Sequence, residues 1–163
     1  MKNSKKIIIT FLLITAQITS AQNDKKEIEK QIDQMASDWS THKFNNMDSY
    51  TTQDVQWVNI VGMWWKGRTE VKLAHQQIFD VIFKNVPITK KSTEIRLVTK
   101  DVAIATVICN VGEFSPPDGI DHGNNKNPAS DNIMTLVYVK KNGKWLLSAG
   151  QNTVIDARAI QNK

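Results

Sequence analysis

The sequence is poor in cysteine, with Cys109 as the only one among 163 residues. A single cysteine excludes a disulfide bond within the chain. Cys109 lies in the apolar stretch Val102–Val111, which is typical of a buried and unreactive thiol, and no base stands at a recognisable spacing to activate it. We therefore expect neither a disulfide bond nor cysteine-based catalysis.

Motifs that bind metals, redox cofactors or nucleic acids are also missing. The sequence has no GxGxxG motif, no flavin or haem signature and no metal-ligand spacing. Its lysines are scattered, and no row of arginines alternates with aromatic residues, which argues against nucleic-acid binding. No Ser-His-Asp or Cys-His arrangement can be recognised either. The sequence thus predicts no metal, no cofactor and no nucleic-acid partner.

A hydrophobic run long enough to cross a membrane is absent. The most apolar stretch, Ile7–Ile14, is far shorter than the roughly 20 residues that a spanning helix needs. Three lysines precede it and Thr19-Ser20-Ala21 follow it, a layout typical of a secretory signal peptide. We predict that residues 1–21 are cleaved near Ala21, so that the mature protein, residues 22–163, is periplasmic or secreted and free of the membrane. Its formal charge then falls from +5 to +2, because residues 1–21 hold three lysines and no acid.

Apolar residues recur with a helical period in two parts of the mature chain. The first predicted helix runs from about Asp24 to Thr41, and the second begins after Gly67 and stops before Asn85. The apolar face of the first helix consists of Ile28, Ile32, Met35 and Trp39. The apolar face of the second consists of Val71, Ala74, His75, Ile78, Phe79 and Ile82.

Strands account for most of the remaining chain. The first is predicted at Asp54–Val61, and Met63–Lys66 can pair back on it. Four long strands follow, at Thr89–Val98, Val102–Val111, Asn132–Lys141 and Lys144–Ile155. The second of these is almost continuously apolar, which is typical of a strand covered on both faces, and the last two form a hairpin about Asn142-Gly143. Helices early in the chain and long antiparallel strands late in it predict a single α+β domain whose sheet bends around the helices.

A pocket with an aromatic wall is predicted around the second helix. His75 lies within the apolar face of that helix, and histidine is the side chain that exchanges protons near neutral pH. Trp57 and Asn59 share one face of the first strand. Alternation places Trp64 and Trp65 on opposite faces, and we favour Trp65 as the inward one. We predict that Trp57, Asn59, Trp65 and His75 bind a small molecule, with His75 as the candidate catalytic residue. The alternative is that Trp57 only fills the core and that His75 is a core histidine bonded to a neighbouring group.

Gln151 is the fifth predicted ligand-binding residue. Counting back from the Asn142-Gly143 turn places Gln151 on the sheet face that carries Trp145. A glutamine at the far end of an apolar face is expected to donate or accept hydrogen bonds in the pocket or near its mouth, and an amide orients a substrate without acting as a base. Asn152 has the opposite parity and is expected on the outer face, against a partner sheet.

No carboxylate falls on a predicted inward face. The candidates are Asp38, Asp48, Asp54 and Glu113. Asp48 is the best placed of the four, because it lies near the end of a short helical turn predicted within Phe44–Tyr50. A reacting pair of His75 with a carboxylate is therefore not visible in the sequence.

Several short motifs, taken together in their order, resemble a known superfamily. They are Trp57-Val58-Asn59-Ile60-Val61-Gly62, Trp65-Lys66-Gly67-Arg68, Ala74-His75, Asp101-Val102-Ala103, Met134-Thr135 and Gln151-Asn152-Thr153. The set resembles the nuclear transport factor 2-like, or SnoaL-like, superfamily, and more closely its SgcJ/EcaC-like branch. The resemblance implies a cystatin-like cone in which a curved antiparallel or mixed sheet wraps around N-terminal helices and encloses a cavity. It also implies a homodimer through the outer face of the sheet and, for the branch, an oxidoreductase.

Three functions fit these features. We favour an exported protein that binds a small, partly apolar molecule, because polar groups among aromatic residues suit recognition. An acid–base enzyme of the isomerase, dehydratase or hydrolase type would use His75, and a carboxylate beside His75 would favour it. A non-catalytic dimerisation or accessory module is the third function, favoured if Trp39, Trp57 and Trp65 fill the cavity.

Overall fold

The computed structural model describes residues 2–156 and Arg158, with side chains from Ser20 onward. The predicted signal peptide, residues 1–21, therefore lies largely outside the described side chains. The helices are α1 (Lys2–Thr41), α2 (Met47–Tyr50) and α3 (Arg68–Val81). The strands are β1 (Thr51–Val58), β2 (Trp64–Lys66), β3 (Ile88–Leu97), β4 (Val102–Val111), β5 (Ser130–Lys141) and β6 (Lys144–Val154). Within this part of the chain, no helix combines the length and the apolar character that a membrane crossing requires.

All six strands form one sheet in the order β2-β1-β6-β5-β4-β3. Strands β3 to β6 are antiparallel neighbours, whereas β1 runs parallel to β6 and antiparallel to the short β2. The predicted two-residue turn joins β5 to β6, and both of its residues have positive φ, 52° for Asn142 and 77° for Gly143. Such a turn matches the right-handed twist of the flanking strands. The predicted α+β fold with a curved, mixed sheet is confirmed.

Helix α1 packs its apolar face on the inner face of the sheet. The buried residues of that face are Ile28, Ile32, Met35 and Trp39, as the helical period predicted. The helix ends at Thr41 as expected, but it is continuous from Lys2 and does not begin near Asp24. The Asp24 carboxylate instead accepts hydrogen bonds from Trp145 Nε1 (3.0 Å) and Lys140 Nζ (2.6 Å). These bonds tie α1 to the β5–β6 hairpin.

Strand β1 begins and ends three residues earlier than predicted. It spans Thr51–Val58, so Asn59 lies in the turn before β2 and not within a strand. The Asn59 side-chain oxygen accepts the backbone N–H groups of Val61 (3.1 Å) and Met63 (2.9 Å). The strand stops here because an asparagine side chain offers the backbone a local alternative to the strand ladder.

The inner face of the sheet is buried and its outer face is half-buried. In β4 the buried and half-buried residues alternate strictly, so the expectation that this strand is covered on both faces does not hold for a single chain. The inward residue Cys109 is buried as predicted, and burial raises the pKa of its thiol to about 11, against a smaller opposing effect of Lys90. A thiol in this state is a packing group and a poor nucleophile.

Candidate functional site

A cavity of about 430 Å³ lies between α3, the end of α1 and the inner face of the sheet. Its aromatic lining consists of Trp39, Trp57, Trp65, Phe79, Phe83 and Phe114. Its polar lining consists of Asn59, His75, Asn127, Ser130, Asn132, Asn152 and Arg158. Mostly apolar walls with a few polar groups, enclosing a volume of this size, are what small-molecule sites in proteins have in common.

His75 borders this cavity from α3. The helix turns one face inward, and its buried residues are Val71, His75 and Phe79. His75 Nδ1 lies 2.8 Å from the backbone oxygen of Val71, one turn earlier. A carbonyl only accepts, so this contact assigns the ring proton to Nδ1 and leaves Nε2, at the tip of the ring, with its lone pair. No described residue donates a hydrogen bond to Nε2.

The surroundings of His75 keep its ring neutral. Burial lowers the pKa of His75 to about 4, although the bond to Val71 acts in the opposite direction. The imidazole is enclosed by aromatic rings: it stacks on Trp39 at 5.9 Å between centroids, and it meets the edges of Trp57 at 5.1 Å and Trp65 at 5.2 Å. Its exposed fraction is 5%. At neutral pH the side chain is therefore a hydrogen-bond acceptor in an apolar setting.

Trp57 reaches the cavity because the neighbouring strand leaves room for it. Gly150 of β6 pairs with Trp57 in the parallel register. A Cβ atom at Gly150 would stand 2.2 Å from the indole ring of Trp57, which no real contact allows. The indole therefore lies flat over the glycine, and a side chain at position 150 would have to displace it.

Asn59 and Trp65 also border the cavity, as predicted. Trp65 is buried, with 6% of its surface exposed, whereas its neighbour Trp64 is 54% exposed and donates its indole N–H to Gln56. The two tryptophans thus lie on opposite faces, as strand alternation predicted, and Trp65 is the inward one, as we favoured. Asn59 lies in the turn after β1 and not on the strand face where it was predicted. Its side-chain oxygen accepts the backbone hydrogen bonds of that turn.

The prediction that Gln151 faces the pocket is wrong. The register of β5 and β6 follows the predicted pairing from the turn back to Tyr138 and Leu147, and then it shifts, because Val137 pairs with Ala149. Ser148 is the extra residue of this bulge. One extra residue turns every later side chain to the opposite face. Gln151 is consequently exposed on the outer face.

Asn152 takes the inward place that was predicted for Gln151. It lines the cavity beside Trp57 and Gly150, and it does not lie on the outer face as expected. The sequence carries no mark of the bulge at Ser148, since a serine within a strand is compatible with either register. The Asn142-Gly143 turn correctly set the first pairs only.

Asn132 is the polar residue that sequence reasoning missed. It is 9% exposed, lines the cavity, and its side-chain oxygen is buried without a hydrogen-bond partner among the described residues. The sequence could have placed Asn132 on the inner face of β5, because Asn132, Met134 and Leu136 occupy every second position of that strand. A polar residue at the end of that apolar row was the available signal, of the same kind as the one that pointed to Gln151.

The SnoaL-like domain family matches residues 28–152 of the sequence. This chain belongs to the SnoaL-like domain family. The matched region runs from the apolar face of α1 to β6 and includes the cavity residues of α3, β1 and β2. Among curated proteins, none matches the sequence.

Solved structures share the fold of this SnoaL-like domain. A protein with a cystatin-like fold from Caulobacter vibrioides is 27% identical, with a TM-score of 0.80 over 86% of this chain and 96% of that one. An NTF2-like protein from Novosphingobium aromaticivorans is 12% identical, with a TM-score of 0.66 over 92% and 96%. A hexachlorocyclohexane dehydrochlorinase (LinA) Type2 is 13% identical, with a TM-score of 0.70 over 85% and 89%. The SnoaL-like and NTF2-like part of the predicted resemblance is confirmed, and the last two structures show the fold alone.

The buried carboxylate of this SnoaL-like domain is Asp38, and it lies outside the cavity lining. Asp38 accepts hydrogen bonds from Tyr50 (2.9 Å), Gln34 (2.9 Å) and Asn46 (3.3 Å). Asp48, the carboxylate favoured from the sequence, is exposed and forms an ion pair with Lys72 at 3.7 Å. The short helix α2 turns Tyr50 inward and Asp48 outward, so that expectation is wrong. No acidic residue lines the described part of the cavity.

Asp48 was favoured over Asp38 because of its place near the end of the short helical turn, and the burial of Asp38 was not evident from the apolar face of α1. Asp38 adjoins Trp39 on α1, and the apolar stripe through Trp39 left it unassigned. Gln31 and Asp38 are both buried, and their spacing of seven residues continues the same face of the helix. The inward face of α1 is therefore wider than its apolar residues indicated. Within the described residues, no group of three or more histidine, cysteine or acidic side chains is placed to hold a metal ion.

Proposed function

We propose that this SnoaL-like protein binds a small, partly apolar molecule in the cavity beside His75. The proposal is carried by one observation: a void of about 430 Å³ whose walls are aromatic and whose lining includes the unbonded ring nitrogen of His75 and the amide-bearing residue Asn132. Buried polar atoms in proteins are almost always bonded. Open polar atoms beside a void are therefore best explained by a molecule that occupies it.

Binding without acid–base chemistry is supported better than catalysis. An acid–base enzyme would need His75 to take up a proton near neutral pH and, in the version considered from the sequence, a carboxylate beside it. The pKa of His75 is lowered to about 4, and its hydrogen bond goes to the Val71 backbone. A group that weakly basic holds few protons at neutral pH.

The reading as an accessory module with a filled cavity has less support. It required Trp39, Trp57 and Trp65 to occupy the interior of the cone. These three rings pack around His75 and form one wall, and the void remains in front of them.

Binding can be tested with the neutral fluorescent probe N-phenylnaphthylamine. We expect the native protein to bind it with enhanced probe fluorescence, and native mass spectrometry of the purified protein to show a retained small molecule. Ile88→Trp fills the cavity from its β3 side and should abolish the enhancement. Ile120→Trp makes the same change at a loop residue that is 58% exposed, and it should bind as the native protein does. Equal binding by both variants would contradict the proposal.

We also propose that the protein is exported and that its family position is in the SgcJ/EcaC-like branch. Export is supported by the signal-like layout of residues 1–21, and the branch by motifs such as Ala74-His75 and Trp65-Lys66-Gly67-Arg68. N-terminal sequencing of protein recovered from the periplasm or medium of a bacterial host should begin at Gln22. Retention of Met1 in the cytoplasm would refute export.

We propose a second copy of this chain as the partner on the outer face of the sheet. The half-buried outward residues at its centre are Ile104, Ile108, Val137, Val139 and Leu146. They are all uncharged, so two such faces can meet without repulsion between like charges. Pairing would also cover both faces of the nearly all-apolar strand β4. Val137→Lys should convert a dimer to a monomer in sedimentation equilibrium. Thr153→Lys, at the exposed end of β6, should leave the dimer intact.

A further inference from the structure

The cavity of this protein carries almost no net charge. Its lining contains no acidic side chain among the described residues, and its single formal cation is Arg158. Asp156 neutralises that guanidinium, since its two carboxylate oxygens accept hydrogen bonds from Arg158 at 2.8 to 3.2 Å. A charged ligand would therefore lose its hydration in an apolar chamber without meeting an unpaired opposite charge, which is costly.

One end of the cavity offers a hydrogen-bond acceptor. The His75 ring donates a hydrogen bond from its Nδ1–H to the backbone oxygen of Val71 and keeps a lone pair on Nε2. The stacked and edge-on indoles around the ring exclude water from its sides. An acceptor in such a place is matched only by a ligand that brings a hydroxyl or N–H group. A ligand with an ether or carbonyl oxygen at this point would place two acceptors against each other.

The other end offers an amide. Asn132 pairs across the sheet with Val154, whereas Trp57, which touches His75, pairs with Gly150 of the same strand. Four residues of a strand span roughly 13 Å, at about 3.3 Å per residue. The backbone positions that pair with Trp57 and with Asn132 are therefore roughly 13 Å apart along β6. A ligand that reaches both His75 and Asn132 must therefore be extended, and two fused six-membered rings offer such a shape.

We propose that the cavity takes an uncharged, flat ring compound with a hydroxyl or N–H donor directed at His75 Nε2 and a second neutral polar group directed at Asn132. The aromatic walls contact the faces and edges of the rings between these ends. The inference rests on the proposed binding function and narrows it to one class of ligand. In this assignment His75 is a recognition residue that selects for a donor.

Four naphthalene probes, titrated by calorimetry, test the two ends separately. Naphthol supplies a donor, and fluoronaphthalene replaces the hydroxyl by a group of similar size that donates nothing. A hydroxynaphthalene carboxamide adds the second polar group at the far end, and the matching carboxylate adds a charge there. We expect naphthol to bind about fivefold tighter than fluoronaphthalene, the carboxamide about fivefold tighter than naphthol, and the carboxylate at least tenfold more weakly than the carboxamide.

Three variants assign these preferences to residues. His75→Phe keeps a ring among the tryptophans and removes the acceptor, so naphthol and fluoronaphthalene should bind equally, while His75→Gln keeps an acceptor and should retain a preference for naphthol. Asn132→Leu keeps the side-chain shape and should remove the advantage of the carboxamide while leaving the preference for naphthol. If one variant does not fold, the affinity ratios between probes for the native protein and the other variants still test the proposal.

The outcomes separate the two proposals. Binding of naphthol and fluoronaphthalene with equal affinity by the native protein would overturn the donor requirement and leave the binding function standing. Tightest binding of the carboxylate would overturn the neutral-ligand assignment. If no probe binds, including N-phenylnaphthylamine, the binding function itself fails, and this inference fails with it.

Discussion

Two buried polar side chains of this protein, Asp38 and His75, differ in whether their polar atoms are satisfied. Both oxygens of Asp38 accept hydrogen bonds, from Tyr50, Gln34 and Asn46, and Asp38 does not line the cavity beside His75. His75 has one bonded nitrogen and one open nitrogen, and it borders the void. A closed network holds the fold together, whereas an open polar atom beside a void is available to a ligand.

The largest expected effect concerns the closed network around Asp38. Asp38→Ala leaves Tyr50 buried without its acceptor, so the free energy of unfolding should fall by about 3 kcal/mol. Urea denaturation measures this change. Asp48→Ala, at an exposed residue of the neighbouring helix, should change it by less than about 0.5 kcal/mol. If Asp38→Ala were as mild as Asp48→Ala, the closed network would not be a source of stability.

The pH dependence of the free energy of unfolding should show whether burial keeps His75 neutral. The pKa of His75 is about 4 in the folded protein and 6.5 as its reference value, so between these values the unfolded chain binds a proton that the folded protein does not. Stability from this group is therefore complete above pH 6.5 and is lost as the pH falls towards 4, by roughly 3 kcal/mol.

The control for this titration is His75→Phe, which keeps the carboxylates and removes the imidazole. The native protein should lose more stability than His75→Phe between pH 7 and pH 4 in urea denaturation at each pH. Parallel curves for the two proteins would mean that His75 is not held neutral by its burial.

A substitution that fills the void should lower the free energy of unfolding less than the changes above, and it should abolish probe binding. Gly150→Val places atoms where the Trp57 indole lies, so the ring must move towards the cavity. Overpacking of this kind costs about 1–3 kcal/mol, and N-phenylnaphthylamine binding should be lost. Ala149→Val, on the opposite face of the same strand, serves as the control in thermal unfolding and probe titration. Unchanged binding by Gly150→Val would show that Trp57 does not form a wall of the site.

The smallest effect tests the register of β6. Asn152→Leu should weaken binding of the hydroxynaphthalene carboxamide by about fivefold, because it removes a polar group from the cavity lining. Gln151→Leu should leave binding unchanged, because that side chain lies on the outer face. The reverse result in calorimetry would mean that the strand continues without the bulge at Ser148.

Much of the fold and about half of the site could be predicted from local patterns. The 3.6-residue period placed His75 on the buried face of α3, and the two-residue period separated Trp65 from Trp64. The Asn142-Gly143 turn positioned the hairpin. These signals work because each depends only on neighbours along the chain.

The remaining site residues depend on contacts between distant parts of the chain. The bulge at Ser148 exchanges Gln151 for Asn152, and only the pairing of β6 with β5 on one side and β1 on the other reveals it. Asn132 matters because the packing of the sheet against α3 makes it part of the cavity lining. Asp38 is satisfied because α2 brings Tyr50 back to α1.

The sequence by itself therefore determined which face of each helix and hairpin is apolar, and hence the α+β cone. Only the tertiary structure decided which polar groups meet the cavity and which meet one another. The physical reason is that periodicity fixes the direction of a side chain relative to its own element, whereas the presence of a partner or a void in that direction is set by other elements packed against it.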